Sequence, residues 1–388
     1  MLVDRRTVLV GTLSFLASST FARSAPGQGP TAAPTETARL LDMIVVNSCG
    51  DLGDPNHLPQ PGESVSKPQL TPRILREALA SGLTAVNITL SGEPRPEGVD
   101  VFESVVGEIA DWDEALREHP ESLLKVFFAE DIRRAKSEHK VGVIYGFQDS
   151  MIGSRPQRID VFYNLGVKIS QLTYNARNDL GGGCLAPEVG LTPLGRQVVD
   201  RMNAVHMILD LAHSGTQLCL DAVRYSKEPI CISHTGCRAI VDVPRNKSDE
   251  ELRLVAERGG YIGIFFIPCF LTKSGIASAS DVILHLEHAI NVCGEDHVGI
   301  GTDMSVTGPD DLEAFRAYNA KVMHDRQAQG ISTPGESADL LPFLTDIRDF
   351  NQFRQFASLL EKRGWSTTRI EKIVGANFVR YARDVWGR

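Results

Sequence analysis

Two short apolar runs, each leading to a histidine, constrain this chain more than any other feature. Residues 207–211 read Met-Ile-Leu-Asp-Leu and lead through Ala212 to His213. Residues 230–232 read Ile-Cys-Ile and lead through Ser233 to His234. Short, apolar, β-branched runs of this kind read as buried strands. Between them, residues 215–225 have helical character and hold no proline. The order is strand, histidine, helix, strand, histidine: a βαβ unit with an imidazole at the carboxyl end of each strand. Neighbouring parallel strands lie roughly 5 Å apart, so both rings reach one ion or one substrate. Ligands of parallel barrels sit at that face. A matched pair there points to a site rather than to two hydrogen-bonded core histidines.

The same pattern extends along the chain. Strand-like runs fall at 43–47, 85–90, 142–145, 168–174, 207–211, 230–233, 260–266 and 297–301. Helical segments alternate with them at 71–80, 101–119, 129–136, 158–165, 193–204, 218–225, 249–258 and 281–293. Eight such alternations predict an α/β fold, a (β/α)8 TIM barrel. An open doubly wound sheet lacks support, because no G-x-G-x-x-G follows an early strand. The tail, 344–388, reads as extra helices, with Trp365-Ser366-Thr367 as turn and cap.

The N-terminus has a different character. Arg5-Arg6 precedes an apolar run at 8–17, and small residues follow through Ala25. This predicts an export signal over 1–25, twin-arginine-like, and hence a periplasmic address. Residues 26–36, rich in Pro, Thr and Ala, read as a linker, which leaves 37–388 as a single barrel domain. No later stretch is long and apolar enough to span a bilayer. The formal charge of -9, with no Lys/Arg-rich block, argues against nucleic acid as a partner. The seven cysteines contain no C-x-x-C pair, which excludes a zinc ribbon on spacing. Most are expected to be buried free thiols.

Chemistry in a barrel comes from the carboxyl ends of its strands. Those ends supply Asn47, Cys49, Gln148, Tyr174, Asn175, His213, His234, Phe266 and Asp303. Asp303 follows Gly299-Ile300-Gly301-Thr302, whose small residues leave room for a ligand. Arg245, in Pro244-Arg245-Asn246, is placed to clamp a carboxylate through a bidentate pair.

At these residues the chain resembles the renal (membrane) dipeptidase family, peptidase family M19. The marks are Leu172-Thr173-Tyr174-Asn175, Leu191-Thr192-Pro193-Leu194-Gly195-Arg196, Asp210-Leu211-Ala212-His213-Ser214, Ser233-His234-Thr235, Pro244-Arg245-Asn246, Gly299-Ile300-Gly301-Thr302-Asp303 and Gly375-Ala376-Asn377-Phe378-Val379-Arg380. The resemblance implies a metallo-dependent barrel hydrolase with two zinc ions. It implies His213 and His234 as metal ligands, Arg245 for the substrate carboxylate, and Asp303 as the proton-handling group. It also allows a homodimer.

The other half of the family pattern is replaced. The H-x-D motif after the first strand is Asn47-Ser48-Cys49 here, the bridging glutamate is Gln148, and a substrate-side histidine is Tyr174. Neutral amides bind zinc poorly. The expectation is therefore one zinc ion at most, on His213 and His234, with Cys49 or Asp303 as a third donor. Asn47 and Gln148 are only weak substitute positions. The function expected is an exported dipeptidase-like metallo-hydrolase acting on a dipeptide or a related small carboxylated amide, with Tyr174 and Arg245 contacting substrate. The alternatives are acid–base chemistry on a small metabolite, or a non-catalytic binding protein on the same fold.

Overall fold

The computed structural model describes residues 42–57, 68–91 and 98–387. The expected export signal at 1–25 and linker at 26–36 lie outside the described residues.

The eight barrel strands are Val46–Asn47, Ala85–Thr89, Val141–Phe147, Val167–Gln171, Ile208–Asp210, Cys231–Thr235, Tyr261–Ile264 and Val298–Ile300. Each pairs in parallel with the next, in chain order. The seam between first and last is bridged by the Ser48 amide, which donates to the Ile300 carbonyl at 3.2 Å. Beyond the seam, Gly50–Asp51 and Met304–Ser305 form a short parallel pair that continues it outward. The third strand is buried along all seven residues. Burial on both faces explains its near-continuous Val, Ile, Tyr and Phe character.

Small residues let polar groups enter the barrel interior. A Cβ at Gly301 would stand 2.0 Å from the Ser233 carbonyl oxygen and 2.6 Å from the Ser48 hydroxyl. Ser48 Oγ instead fills that layer, 2.6 and 2.8 Å from the carbonyls of Ser233 and Ile300.

The intervening helices start where the sequence provides caps. The Thr192 side chain accepts from the Gly195 amide, with Pro193 in the first turn of Pro193–Val205. Ser248 and Glu251 form a capping box at Asp249–Glu257. Ser366 caps Thr367–Glu371, as the turn reading expects. The last helix, Asn377–Trp386, plugs the barrel floor: Phe378, Tyr381 and Trp386 share one core cluster with Val46, Ala85, Ile144, Ile169, Ile208 and Tyr261. With that end sealed, the carboxyl end is the barrel mouth left for a ligand.

Three features differ from the sequence reading. The fourth strand stops at Gln171, so Tyr174 and Asn175 stand in the loop beyond it. A short strand, Leu123–Lys125, pairs with the third strand outside the barrel path. A long helix, Leu312–Ala328, capped by the Asp311 side chain, was not foreseen. Its only fully buried residue is Asn319, so it lacks the apolar stripe by which helices are recognised.

All seven cysteines are free, and Cys49, Cys184, Cys219, Cys231 and Cys237 are buried. Among the described residues no helix is long and apolar enough to cross a membrane.

Candidate active site

His213 and His234 meet at the mouth, with their Nε2 atoms 3.0 Å apart. Both rings are buried. Their opposite nitrogens are anchored. His213 Nδ1 lies 2.6 Å from Asn175 Oδ1. The Asn175 amide nitrogen donates to the Ile331 carbonyl, which fixes its oxygen toward the ring. His213 therefore carries its proton on Nδ1 and presents a bare Nε2.

His234 Nδ1 lies 2.8 Å from the Ser233 hydroxyl, which lies 2.5 Å from Asp210 Oδ2. Asp210 also accepts from the Ser233 and Ala212 amides and from Gln171 Nε2. Burial raises its carboxyl above the usual range, and these donors oppose the rise. When Asp210 is ionised, Ser233 donates to it and accepts from His234 Nδ1–H. The Nε2 of His234 is then bare as well.

Two bare nitrogens at this separation suit a cation. Two nitrogens bound tetrahedrally to one zinc at about 2.05 Å stand about 3.3 Å apart. Burial, reinforced by the nearby Arg245, holds both imidazoles well below their usual range, so both stay unprotonated. Further donors are at hand. Cys49, His234 and Asp303 each place a ligand atom so that all three lie within 4.8 Å of one another. The donor set of imidazole, thiol and carboxylate fits zinc.

Asp303 reaches the mouth through an unusual backbone. Its φ is 57°, the left-handed region that few non-glycine residues adopt, though Asp tolerates it better than most. Its amide donates to the Cys49 carbonyl at 2.8 Å, which ties the turn to the first strand. Burial raises the Asp303 carboxyl, and Arg245 pulls it down. The Cys49 thiol donates to Asp303 Oδ1 at 3.5 Å. Burial first, then the Asp303 charge, push that thiol well up, so it is protonated when no ion is bound.

The two amides behave differently from one another. Asn47 is fully engaged with Thr302: its Nδ2 donates to the hydroxyl and its oxygen accepts the amide, both at 2.8 Å. It fastens the barrel seam. Gln148 does face the site, donating from Nε2 to Cys49 Sγ at 3.2 Å and to Thr89 Oγ1 at 2.8 Å.

Arg245 is buried. Its Nη1 donates to the Ala212 carbonyl at 2.7 Å, and its Nη2 lies 3.2 Å from His213 Nε2. Its guanidinium lies 5.9 and 5.8 Å from the ring centres of Phe265 and Phe270. Among the described residues no carboxylate pairs with it. Tyr174 stacks on His213 at 4.2 Å, and its hydroxyl accepts from Arg326 Nη1 at 3.0 Å. Phe266 packs instead against Phe356 in the core.

A cavity of about 210 Å³ opens onto His213, Arg245, Asp303 and Tyr174, roofed by residues of Leu312–Ala328 and by Glu336 and Leu340. A second, about 560 Å³, lies on the other side of Tyr174 and Arg326 and reaches Thr89 and Gln148. Arg326 was missed by sequence reasoning. It arrives from the unforeseen helix, 152 residues from the tyrosine it contacts. Asn175, Ser233 and Asp210 were visible as parts of motifs, but not as the groups that orient the two rings.

Comparisons with known proteins bear on the family and the fold. The membrane dipeptidase family, peptidase family M19, matches residues 69–324. A crystal structure of an amidohydrolase from Pseudomonas aeruginosa is 30% identical, with a TM-score of 0.76 over 92% of this chain and 100% of that one. A metallo peptidase from Rhodobacter sphaeroides, liganded with a phosphinate mimic of the dipeptide L-Ala-D-Ala, is 17% identical, with a TM-score of 0.69 over 89% of this chain and 99% of its own. That level of identity speaks to the fold. Dipeptidase tcpJ of Claviceps purpurea is 28% identical over 263 residues, 66% of this chain and 54% of that protein. The chain thus spans about half the length of that curated relative.

Proposed function

The chain belongs to the membrane dipeptidase family, peptidase family M19, and from that premise we propose that it is a dipeptidase-like metallo-hydrolase that works with one zinc ion at most. Its substrate is a dipeptide or a related small carboxylated amide. The observation that carries this reading is the 3.0 Å approach of two oriented Nε2 atoms beside Cys49 and Asp303. His213 and His234 would hold the ion, with Cys49 or Asp303 as the third donor. When bound, zinc supplies Lewis acidity toward a carbonyl oxygen and toward water. The replacement of two acidic ligands by Cys49 and Gln148 argues against a second ion.

The chain's own residues divide the remaining work. Arg245 binds the substrate carboxylate: it is held by Ala212 and has no acidic partner among the described residues. Asp303 takes a proton from attacking water and returns it to the leaving nitrogen. Its raised carboxyl suits that exchange. Tyr174 forms the wall against which the substrate lies. The amidohydrolase name of the Pseudomonas relative and the dipeptidase name of the Claviceps protein fit the same reaction class. Export by the twin-arginine route and assembly as a homodimer remain part of this proposal.

The test is elemental analysis of the purified full chain after zinc loading, with amide hydrolysis measured in parallel. The expected result is up to one zinc per chain and turnover that a chelator abolishes. A ratio of two would overturn the metal count. Turnover without metal would favour acid–base chemistry, and no turnover of any amide would favour a binding protein.

A further inference from the structure

A free dipeptide is a zwitterion. Its carboxylate suits Arg245, but its ammonium group needs a carboxylate or several free acceptors at the other end, since a buried unpaired charge is costly. That end of the site faces the first and third strands, and its side chains carry no free negative charge. Asn47 is occupied by Thr302. Gln148 is a neutral amide held by Cys49 and Thr89. Cys49 is a neutral thiol, or, with an ion bound, a thiolate whose charge is used by that ion.

Apart from Asp303, which handles the proton in the proposed reaction, the acids bordering the two cavities are taken up by hydrogen bonds. Glu336 accepts from Arg326 Nη2 at 2.8 Å and from the Thr333 amide at 2.6 Å. Asp149 accepts from the Ser150 amide at 2.7 Å and from Asn178 Nδ2 at 3.1 Å. The larger cavity instead has two arginines on its wall, Arg177 and Arg326. Arg177 is exposed and has no acidic partner among the described residues. Arg326 Nε is buried without a hydrogen-bond partner in the structure.

We infer that the amide cleaved here carries an acyl group, not a free ammonium, on the side away from Arg245, and that the preferred class is N-acyl amino acids whose acyl group ends in a carboxylate. The amino acid carboxylate lies on Arg245, and the distal carboxylate enters the larger cavity toward Arg326 and Arg177. Water adds its oxygen to the acyl carbon, the C–N bond breaks, and a proton goes to the leaving nitrogen. The products are a dicarboxylic acid and a free amino acid, and no other reactant is needed. The inference rests on the hydrolase reading for its chemistry, but its charge rule concerns binding alone.

The experiment compares N-succinyl-alanine, N-acetyl-alanine and alanyl-alanine on the full chain, by melting-temperature shift and by release of free alanine. The expected order is succinyl, acetyl, alanyl-alanine, with the first at least about tenfold above the last, or about 1.4 kcal/mol. Arg326→Met is expected to lower the succinyl compound more than the acetyl one. Stronger binding or faster cleavage of alanyl-alanine would overturn the inference, as would a failure of both N-acyl compounds to bind. Binding in the expected order without cleavage would uphold the charge rule and sink the hydrolase reading.

Discussion

His213 and His234 each have the rear ring nitrogen anchored, one by Asn175 and one by Ser233, and Asp210 stands behind the second. Cys49 and Gln148, across the mouth, have mainly one another, Thr89 and Asp303. The two sides differ in charge as well as in support. Imidazoles fixed in one tautomer are prepared to bind an ion before it arrives. A protonated thiol and a neutral amide must first lose a proton or accept a poor fit. The ends of the fifth and sixth strands thus present two oriented imidazoles, while the first and third present a thiol and an amide. Loss of ligand charge on one side does not require loss of orientation on the other.

The largest expected effect comes from breaking the intact side. His234→Ala should take zinc content from about one per chain to near zero and leave hydrolysis at background, because too few donors remain. Elemental analysis reads it directly. Retained zinc would mean that Cys49 and Asp303 hold the ion without the imidazole pair.

The next effect comes from restoring the modified side. Cys49→Asp with Gln148→Glu returns two negative charges, and the metal ratio should rise from one toward two. Adding Asn47→His should work against this, because Asn47 fastens the barrel seam to Thr302. Leaving those buried partners unpaired costs about 1–3 kcal/mol, which a melting curve would show. A triple variant as stable as the double would mean that the seam does not depend on this pair.

A smaller effect separates orientation from ligation. Asn175→Ala removes no ligand but frees the His213 ring. Zinc affinity should fall about 10–100-fold, measured by competition with a chelating dye. Thr89→Ala, which removes the hydroxyl that accepts from Gln148 on the other side, should change it far less. Equal losses would end the distinction between the two sides.

Much of this arrangement was legible because its signals are local. Apolar runs mark His213, His234 and Asp303 as strand-end residues, and the alternation of strands and helices fixes the barrel. Tyr174 and Asn175 read as strand-end residues because Leu172 continues the apolar pattern, whereas the ladder ends at Gln171 and both stand in the loop beyond it. Arg326 had no such signal. Its helix is mostly exposed, and its role depends on a contact across 152 residues. Asn47 read as a lost metal ligand, whereas its amide satisfies Thr302, a pairing that only the closed barrel creates.

The smallest prediction is a control at the opposite end of the barrel. Lys168 is buried, with its ammonium over the Tyr163 ring at 4.0 Å and near Phe128 and Trp386 at 5.4 and 5.5 Å. Burial pulls its pKa down from the ordinary 10.5 to about 8. Between about 8 and 10.5 the unfolded chain binds more protons than the folded one, so stability should rise with pH in that window. Lys168→Met should remove that slope from a series of melting curves and leave zinc content unchanged. A change in zinc content would show that the floor and the mouth are coupled.

The left-handed turn at Asp303 has a consequence for the order in which this molecule becomes competent. Its amide is fastened to Cys49 across 254 residues of chain, and Asn47 to Thr302 across 255. Contacts that distant form late, because the ends of so long a loop must first be brought together. The Asp303 carboxylate, the Cys49 thiol beside it and the seam are brought together by the same meeting of first and last strands. A chain still being made therefore has its two histidines but no finished centre. The arrangement of the barrel mouth is complete only once the barrel has closed.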